Sequence, residues 1–341
     1  MRFALLLPLL VAAPKAAVEP PDCSPASGVT LLYEVKGELA SPRLNRDATA
    51  MAVEVIDERG VGLELFDVER RSRPTRLVPE TSFGFPHRGP RQAAQFSFAP
   101  PDCRYDWTYS VSFGADSWIY VNGWSAGIDE GTNVAAVWSP VDCRFVFVST
   151  RTGRGDLYLW DEGQELQLTF DDAHAELDPA WSPDGGRIAF ARSGDRGAIM
   201  VLDVAQYSSV QITVADEPLR QPSFSPDGTH LAYFQGERLM WVEATPGARP
   251  KELTPHVVPP RHLGAPWTPD GAVIVVHAAP GDRDRLVAVS PRGAVEDLRV
   301  GTCGIRDPEI RFREEGPPLL VWVADGTRPG TRALWGAGLP F

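Results

Sequence analysis

Asp178-Pro179-Ala180-Trp181-Ser182-Pro183-Asp184-Gly185-Gly186-Arg187-Ile188-Ala189-Phe190 reads as a strand, a tight turn and a second strand. The phrase returns at 221–233, where the turn is Ser225-Pro226-Asp227-Gly228, and at 265–275, where it is Thr268-Pro269-Asp270-Gly271. A weaker copy at 136–147 carries Ser139-Pro140-Val141-Asp142-Cys143. Proline presets φ, the aspartate carboxylate accepts nearby backbone N–H groups, and glycine takes a positive φ. Asp184, Gly185, Asp227, Gly228, Asp270 and Gly271 therefore have a structural task, and the repeated aspartates are not read as catalytic.

The turn prolines set the period. Pro100, Pro140, Pro183, Pro226 and Pro269 are 40, 43, 43 and 43 residues apart. Three further short apolar runs follow the inner strand in each period, rich in β-branched and aromatic residues and punctuated by Gly, Pro and Asp. Four short strands per repeat of this length make the blade of a β-propeller, an all-β fold. The bulky residue of each phrase (Trp138, Trp181, Phe224, Trp267) is expected to fill space between neighbouring blades. Degenerate copies at 41–47, 95–105 and 307–312 bring the candidate inner strands to seven. The run at 333–339 supplies only one more strand, so the early strand at 30–35 is expected to complete the last blade and close the ring. Seven blades are favoured over six.

At 341 residues, with 43% apolar residues, the chain can bury a large core. Its net charge of −12 argues against a nucleic-acid surface, which needs clustered Lys and Arg. Met1-Arg2 followed by the apolar run 3–13 has signal-peptide anatomy and is too short to span a bilayer. The expected organisation is a signal peptide at 1–17, a linker at 18–28 and a single propeller at 29–341. No later apolar run reaches transmembrane length. Four cysteines in an exported chain imply two disulfides with three connectivities. Cys23 precedes the closing strand and Cys303 opens the last blade, so a 23–303 bond would lock the ring. Cys103 and Cys143 occupy one slot in consecutive blades; their pairing depends on whether adjacent blades bring that slot within disulfide reach.

The phrase, with its Leu168-Thr169, Ile212-Thr213 and Leu253-Thr254 endings, resembles the TolB-type propeller repeat over about 133–300. The resemblance implies a scaffold. The family's namesake is a periplasmic propeller that binds an outer-membrane lipoprotein, and similar propellers precede α/β-hydrolase domains in prolyl oligopeptidases. Neither the additional N-terminal α/β domain of the family's namesake nor a following hydrolase domain is expected, given the residues before the first blade and after the last.

Gly123-Trp124-Ser125-Ala126-Gly127 matches a nucleophile elbow, but Ile128-Asp129-Glu130-Gly131 after it reads as a turn rather than the required helix. No catalytic residue is assigned. What does not repeat is the set of blade-to-blade loops, expected around the central channel. Asp171, Asp172, His174 and Glu176 form the densest polar cluster; His87 and Arg88, and His256, Arg261 and His262, lie on comparable loops. These nine are the candidate binding residues. No metal-type spacing is present and no cofactor is assigned; the alternatives are Ca²⁺ on the acidic loop and a metal or acid–base site built from His87, His174, His256 and His262. The function expected is an exported, monomeric, non-catalytic scaffold, periplasmic or secreted, that binds another envelope protein or lipoprotein. The alternatives are a hydrolase or lyase, or a propeller that binds a small ligand or sugar on the channel face.

Overall fold

A computed structural model of the protein describes residues 23–58, 60–68, 73–77, 91–113, 116–128, 130–171, 173–261, 266–278, 284–313 and 316–338. These residues form seven four-stranded antiparallel sheets and no helix. In chain order the blades span 38–77, 91–125, 133–167, 175–215, 219–254 and 257–297; the seventh combines 306–338 with the N-terminal strand Val29–Val35. That strand pairs antiparallel with Arg332–Gly338, from Val29 opposite Ala337 to Val35 opposite Arg332, and so closes the ring. The signal-peptide region at 1–17 lies outside the described residues. No described helix is long and apolar enough to cross a membrane.

Each blade is a twisted sheet with apolar residues on both faces, so the core lies between blades rather than inside one. Val146, Leu157 and Leu159 of blade 3 pack against Trp181, Ile188, Phe190 and Met200 of blade 4. The bulky residue of the phrase is the anchor. Trp181 Nε1 donates to Val137 O at 2.9 Å and Trp267 Nε1 to Ser223 Oγ at 2.9 Å, each reaching the preceding blade. The turns follow their sequence chemistry. Asp184 Oδ1 accepts from Ser182 Oγ at 2.5 Å and Gly186 N at 3.0 Å, and Gly185 sits at φ 68°. Asp227 repeats the pattern with Ser225 and Thr229, and Asp270 with Thr268.

The expected 23–303 disulfide is formed, and so is the 103–143 bond left open by the sequence. Cys23 and Cys303 join residues 280 positions apart, and Cys103 and Cys143 residues 40 apart. The 103–143 Cα atoms are 5.4 Å apart, so the equivalent slot in adjacent blades does come within reach. The Val141-Asp142 turn keeps the closure of its better relatives: Ser139 N donates to Arg144 O at 2.8 Å, as Ser182 N does to Arg187 O. Blade 6 departs from the expected pattern. Its inner strand is only Val257–Val258, and Trp267 rejoins the sheet through a single bridge to Val273 after an insertion.

Candidate functional site at the channel face

Six inner strands share a device that the repeat pattern hides. Ser41, Gln95, Ala135, Asp178, Gln221 and Asp307 occupy one position, each with φ between 48° and 59°, and each at a register shift in its sheet. These are β-bulges, which leave backbone groups free of the ladder. In four of them the next residue is proline (42, 179, 222, 308), which has no N–H to lose at a bulge.

The freed amides are satisfied by the neighbouring blade. Asp178 Oδ2 accepts from Gln221 N at 3.0 Å, and Gln95 Oε1 from Ala135 N at 2.7 Å. Glu54 Oε1 accepts from Gln95 N at 2.9 Å. Gln221 Nε2 donates to Pro260 O. Asp307 spans three blades, accepting from Arg261 N at 3.0 Å and from Ser41 N at 3.1 Å. The result is a belt of side-chain-to-backbone bonds from blade to blade along the inner strands. Arg43, buried on the inner strand of blade 1, is held among carboxylates: burial lowers its pKa, while Glu309, Glu54 and Asp307 oppose that shift.

The loop between blades 3 and 4 rises from this belt. Asp171 accepts from Ala173 N at 3.0 Å and bonds His174 Nδ1 at 2.8 Å through its other oxygen; Arg192 lies 3.7 Å away. Burial pushes Asp171 up, and the bonds from His174 and Ala173 pull it below the ordinary carboxylate range. Asp171 N in turn donates to Asp156 Oδ1 at 3.1 Å. Asp156 also accepts from Thr152 Oγ1 at 2.6 Å. Beneath lies Glu176, 3% exposed, accepting from Thr169 Oγ1 and from Leu157 N. Burial drives its pKa up to about 7 against those bonds, and the charges of Asp156 and Asp171 push the same way.

The structure therefore gathers Asp171, His174 and Glu176 into one network. His256 is exposed on the blade 5–6 loop, its ring 6.3 Å from that of His277, and Arg261 enters through its backbone amide. Asp172, His87, Arg88 and His262 lie outside the described residues. Among the described residues no three His, Cys, Asp or Glu side chains come together in a metal-holding arrangement. Ser125 lies on the two-residue outer strand Trp124–Ser125 of blade 2, and Gly127 N donates to its Oγ at 3.2 Å, so the elbow-like motif is a blade turn. Sequence reasoning missed Asp156 and the bulge residues. Only the recurring residue-before-proline step pointed toward the latter.

Glu176 makes the network pH-dependent. An unfolded glutamate titrates near 4.5 and the folded one at about 7, so the folded state keeps a proton that the unfolded state has lost. Its contribution to stability is fully present below pH 4.5 and is lost as pH rises through 7, by roughly 3 kcal/mol. Glu176→Gln, which imitates the protonated form, should raise Tm at pH 8 and leave it nearly unchanged at pH 4.5. An equal shift at both pH values would show that the carboxyl is not held protonated.

Seven four-stranded blades, a ring closed by strands from far apart in sequence and Ser-Pro-Asp-Gly turns at the blade base define a seven-bladed β-propeller of the repeat class. The chain belongs to the TolB β-propeller family: the model of the TolB beta propeller domain matches residues 122–309. A search of curated proteins finds no significant match. Among known structures, the chain is similar to the β-propeller domain of Cps50 (Swd1) from Myceliophteria thermophila, with TM-score 0.57 and 12% identity over 89% of this chain and 98% of that one. An oligogalacturonate lyase from Vibrio parahaemolyticus has TM-score 0.55 and 12% identity over 86% and 81% of the two chains. TolB from Acinetobacter baumannii has TM-score 0.45 and 17% identity over 87% and 79%. At these identities the likeness is one of fold.

Proposed function

We propose that this propeller is an exported, non-catalytic scaffold that holds another protein of the cell envelope through its channel face. The observation that carries this reading is Phe170. Its ring is 77% exposed at the tip of the blade 3–4 loop, directly before Asp171 and the His174–Arg192 network. An aromatic left in water beside a hydrogen-bonded polar loop has the anatomy of a binding hot spot. Hydrogen bonds hold the loop that presents it, so little ordering entropy is lost on association. Two disulfides fit an oxidising compartment, in line with the signal-like N-terminal stretch.

The test is capture from envelope extracts by the immobilised chain from residue 18 onward. Phe170→Ala should reduce the retained partner at least tenfold, as expected for loss of about 1.4 kcal/mol or more. Trp124→Ala, which removes an aromatic 69% exposed at the outer edge of blade 2, should leave it unchanged. If no protein is retained at low salt while a small ligand raises the melting temperature, the scaffold reading fails.

A further inference from the structure

On the face opposite those loops, the blade-base turns present a series of equivalent junctions, and one of them differs. The residue that closes each turn is Arg144 in blade 3, Arg187 in blade 4 and His230 in blade 5: Ser139 N, Ser182 N and Ser225 N each donate to its carbonyl at 2.8–2.9 Å. In blade 4, Arg187 reaches over the next blade. Its Nη2 donates to Gly228 O at 2.6 Å, and its guanidinium lies 5.1 Å from the centre of the Phe224 ring. The space above Gly228 is thereby filled, a Cβ there meeting Arg187 at 3.2 Å. At the preceding junction Val141 does the same, standing 2.4 Å from a Cβ on Gly185.

The junction of blades 5 and 6 is built otherwise. His230 is too short to cross; its Nδ1 is 2.7 Å from Thr229 Oγ1 and its ring lies against Trp241 at 4.8 Å. Over Gly271, the counterpart of Gly228, a Cβ would meet only Pro291 of its own blade, at 3.8 Å, among the described residues. A cavity of about 310 Å³ opens there, bordered by Asp227, His230, Trp241, Pro269, Asp270 and Gly271.

The wall chemistry is specific. Asp227 and Asp270 each spend Oδ1 on the donors of their own turn, Ser225 and Thr229 in one case and Thr268 in the other. Oδ2 of each has no hydrogen-bond donor among the described residues. Asp227 is held at about 2 by its Ser225 and Thr229 bonds and stays ionised. Trp241, half-buried and backed by Trp267 at 5.2 Å, contributes an indole, the aromatic group that attracts cations most strongly. Lys251 Nζ stands at the rim, 3.4 Å from Pro291 O, so two carboxylates face one ammonium and the rim stays negative.

We propose that this cavity binds a guanidinium group. The chain itself shows the fit: one junction earlier, an arginine from within the molecule takes the same place, bonded to the turn carbonyl and set against an aromatic ring. A planar fork of N–H donors suits two carboxylates and a carbonyl, and guanidinium stacks on aromatic faces better than the more strongly hydrated ammonium. The ligand is an arginine side chain presented by a polypeptide or a small guanidinium compound.

The probe is Nα-acetyl-argininamide, titrated calorimetrically into the full chain beside free arginine and Nα-acetyl-citrullinamide, which keeps the shape and lacks the charge. The acetylated arginine should bind saturably and at least tenfold more tightly than the citrulline compound. Tighter binding of the capped probe than of free arginine assigns the site to polypeptide arginine, and the reverse order to a small molecule. His230→Arg should place the cation from within: binding is lost and Tm rises by a few degrees. Trp241→Leu should weaken binding at least tenfold with the β circular-dichroism spectrum intact. Equal affinity for the arginine and citrulline probes, or undiminished arginine binding by His230→Arg, would overturn the assignment.

Discussion

Replacing both Cys23 and Cys303 by serine should lower the unfolding free energy by roughly 3–5 kcal/mol, the upper part of the range for a native disulfide. The bond joins residues 280 positions apart, so its loss releases nearly the whole chain in the unfolded state. It also holds a local fit. Ala26 N donates to Val300 O at 3.0 Å, and Gly301, at φ 78°, lets Ser24 O pass where a Cβ would stand 2.4 Å from it. Cys103→Ser with Cys143→Ser opens a loop of only 40 residues and should cost less, by about 1.7 kcal/mol in the chain-entropy picture. Urea unfolding of the two double variants decides the order. If the 103–143 pair costs as much as the 23–303 pair, ring closure does not depend on the longer bridge.

The second large effect belongs to Asp307. Asp307→Ala leaves the amides of Ser41 and Arg261 without their acceptor and takes a counter-charge from buried Arg43. The buried Ser41 donor left unsatisfied costs about 1–3 kcal/mol, the part-buried Arg261 donor less, and the uncompensated Arg43 charge adds to that, giving a total of roughly 3–5 kcal/mol. Asp307→Asn keeps an accepting oxygen and should cost clearly less. A cost under about 1 kcal/mol for the alanine variant would mean that the belt of bulges does not hold the blades together.

Asp307 also shows where sequence reading stops. Its blade could be placed from Asp307-Pro308 and the apolar strand after it, because turn chemistry and period act over a few residues. Its partners at 41 and 261 belong to other blades, and no local pattern marks them. The cysteines were legible for the opposite reason: few in number, and set by the repeat at equivalent slots or beside the closing strands. Asp171, His174 and Glu176 stood out as a polar run, but the raised pKa of Glu176 comes from its burial and then from the charges of Asp156 and Asp171, against the Thr169 bond, and only folding brings these together. The short inner strand of blade 6 went unread because Ala265-Pro266-Trp267-Thr268-Pro269-Asp270-Gly271 keeps the phrase while the chain before it leaves the sheet. Arg187 and His230 occupy one repeat position, and no local pattern marks the difference between them; the cavity beside His230 gives it a consequence.

The seam between Val29–Val35 and Arg332–Gly338 also sets a timetable. A hairpin forms within microseconds, whereas a ribosome adds about 5–20 residues each second. Val29–Val35 thus waits on the order of 15–60 s for its partner to be synthesised. Blades 1 to 6 are each local in sequence and can assemble in order as they appear. Blade 7 cannot, and in the interval an apolar, β-prone edge (Val-Thr-Leu-Leu-Tyr-Glu-Val) stays open to mispairing. Closure of the ring must therefore wait for the last strand, whereas blades 1 to 6 need not.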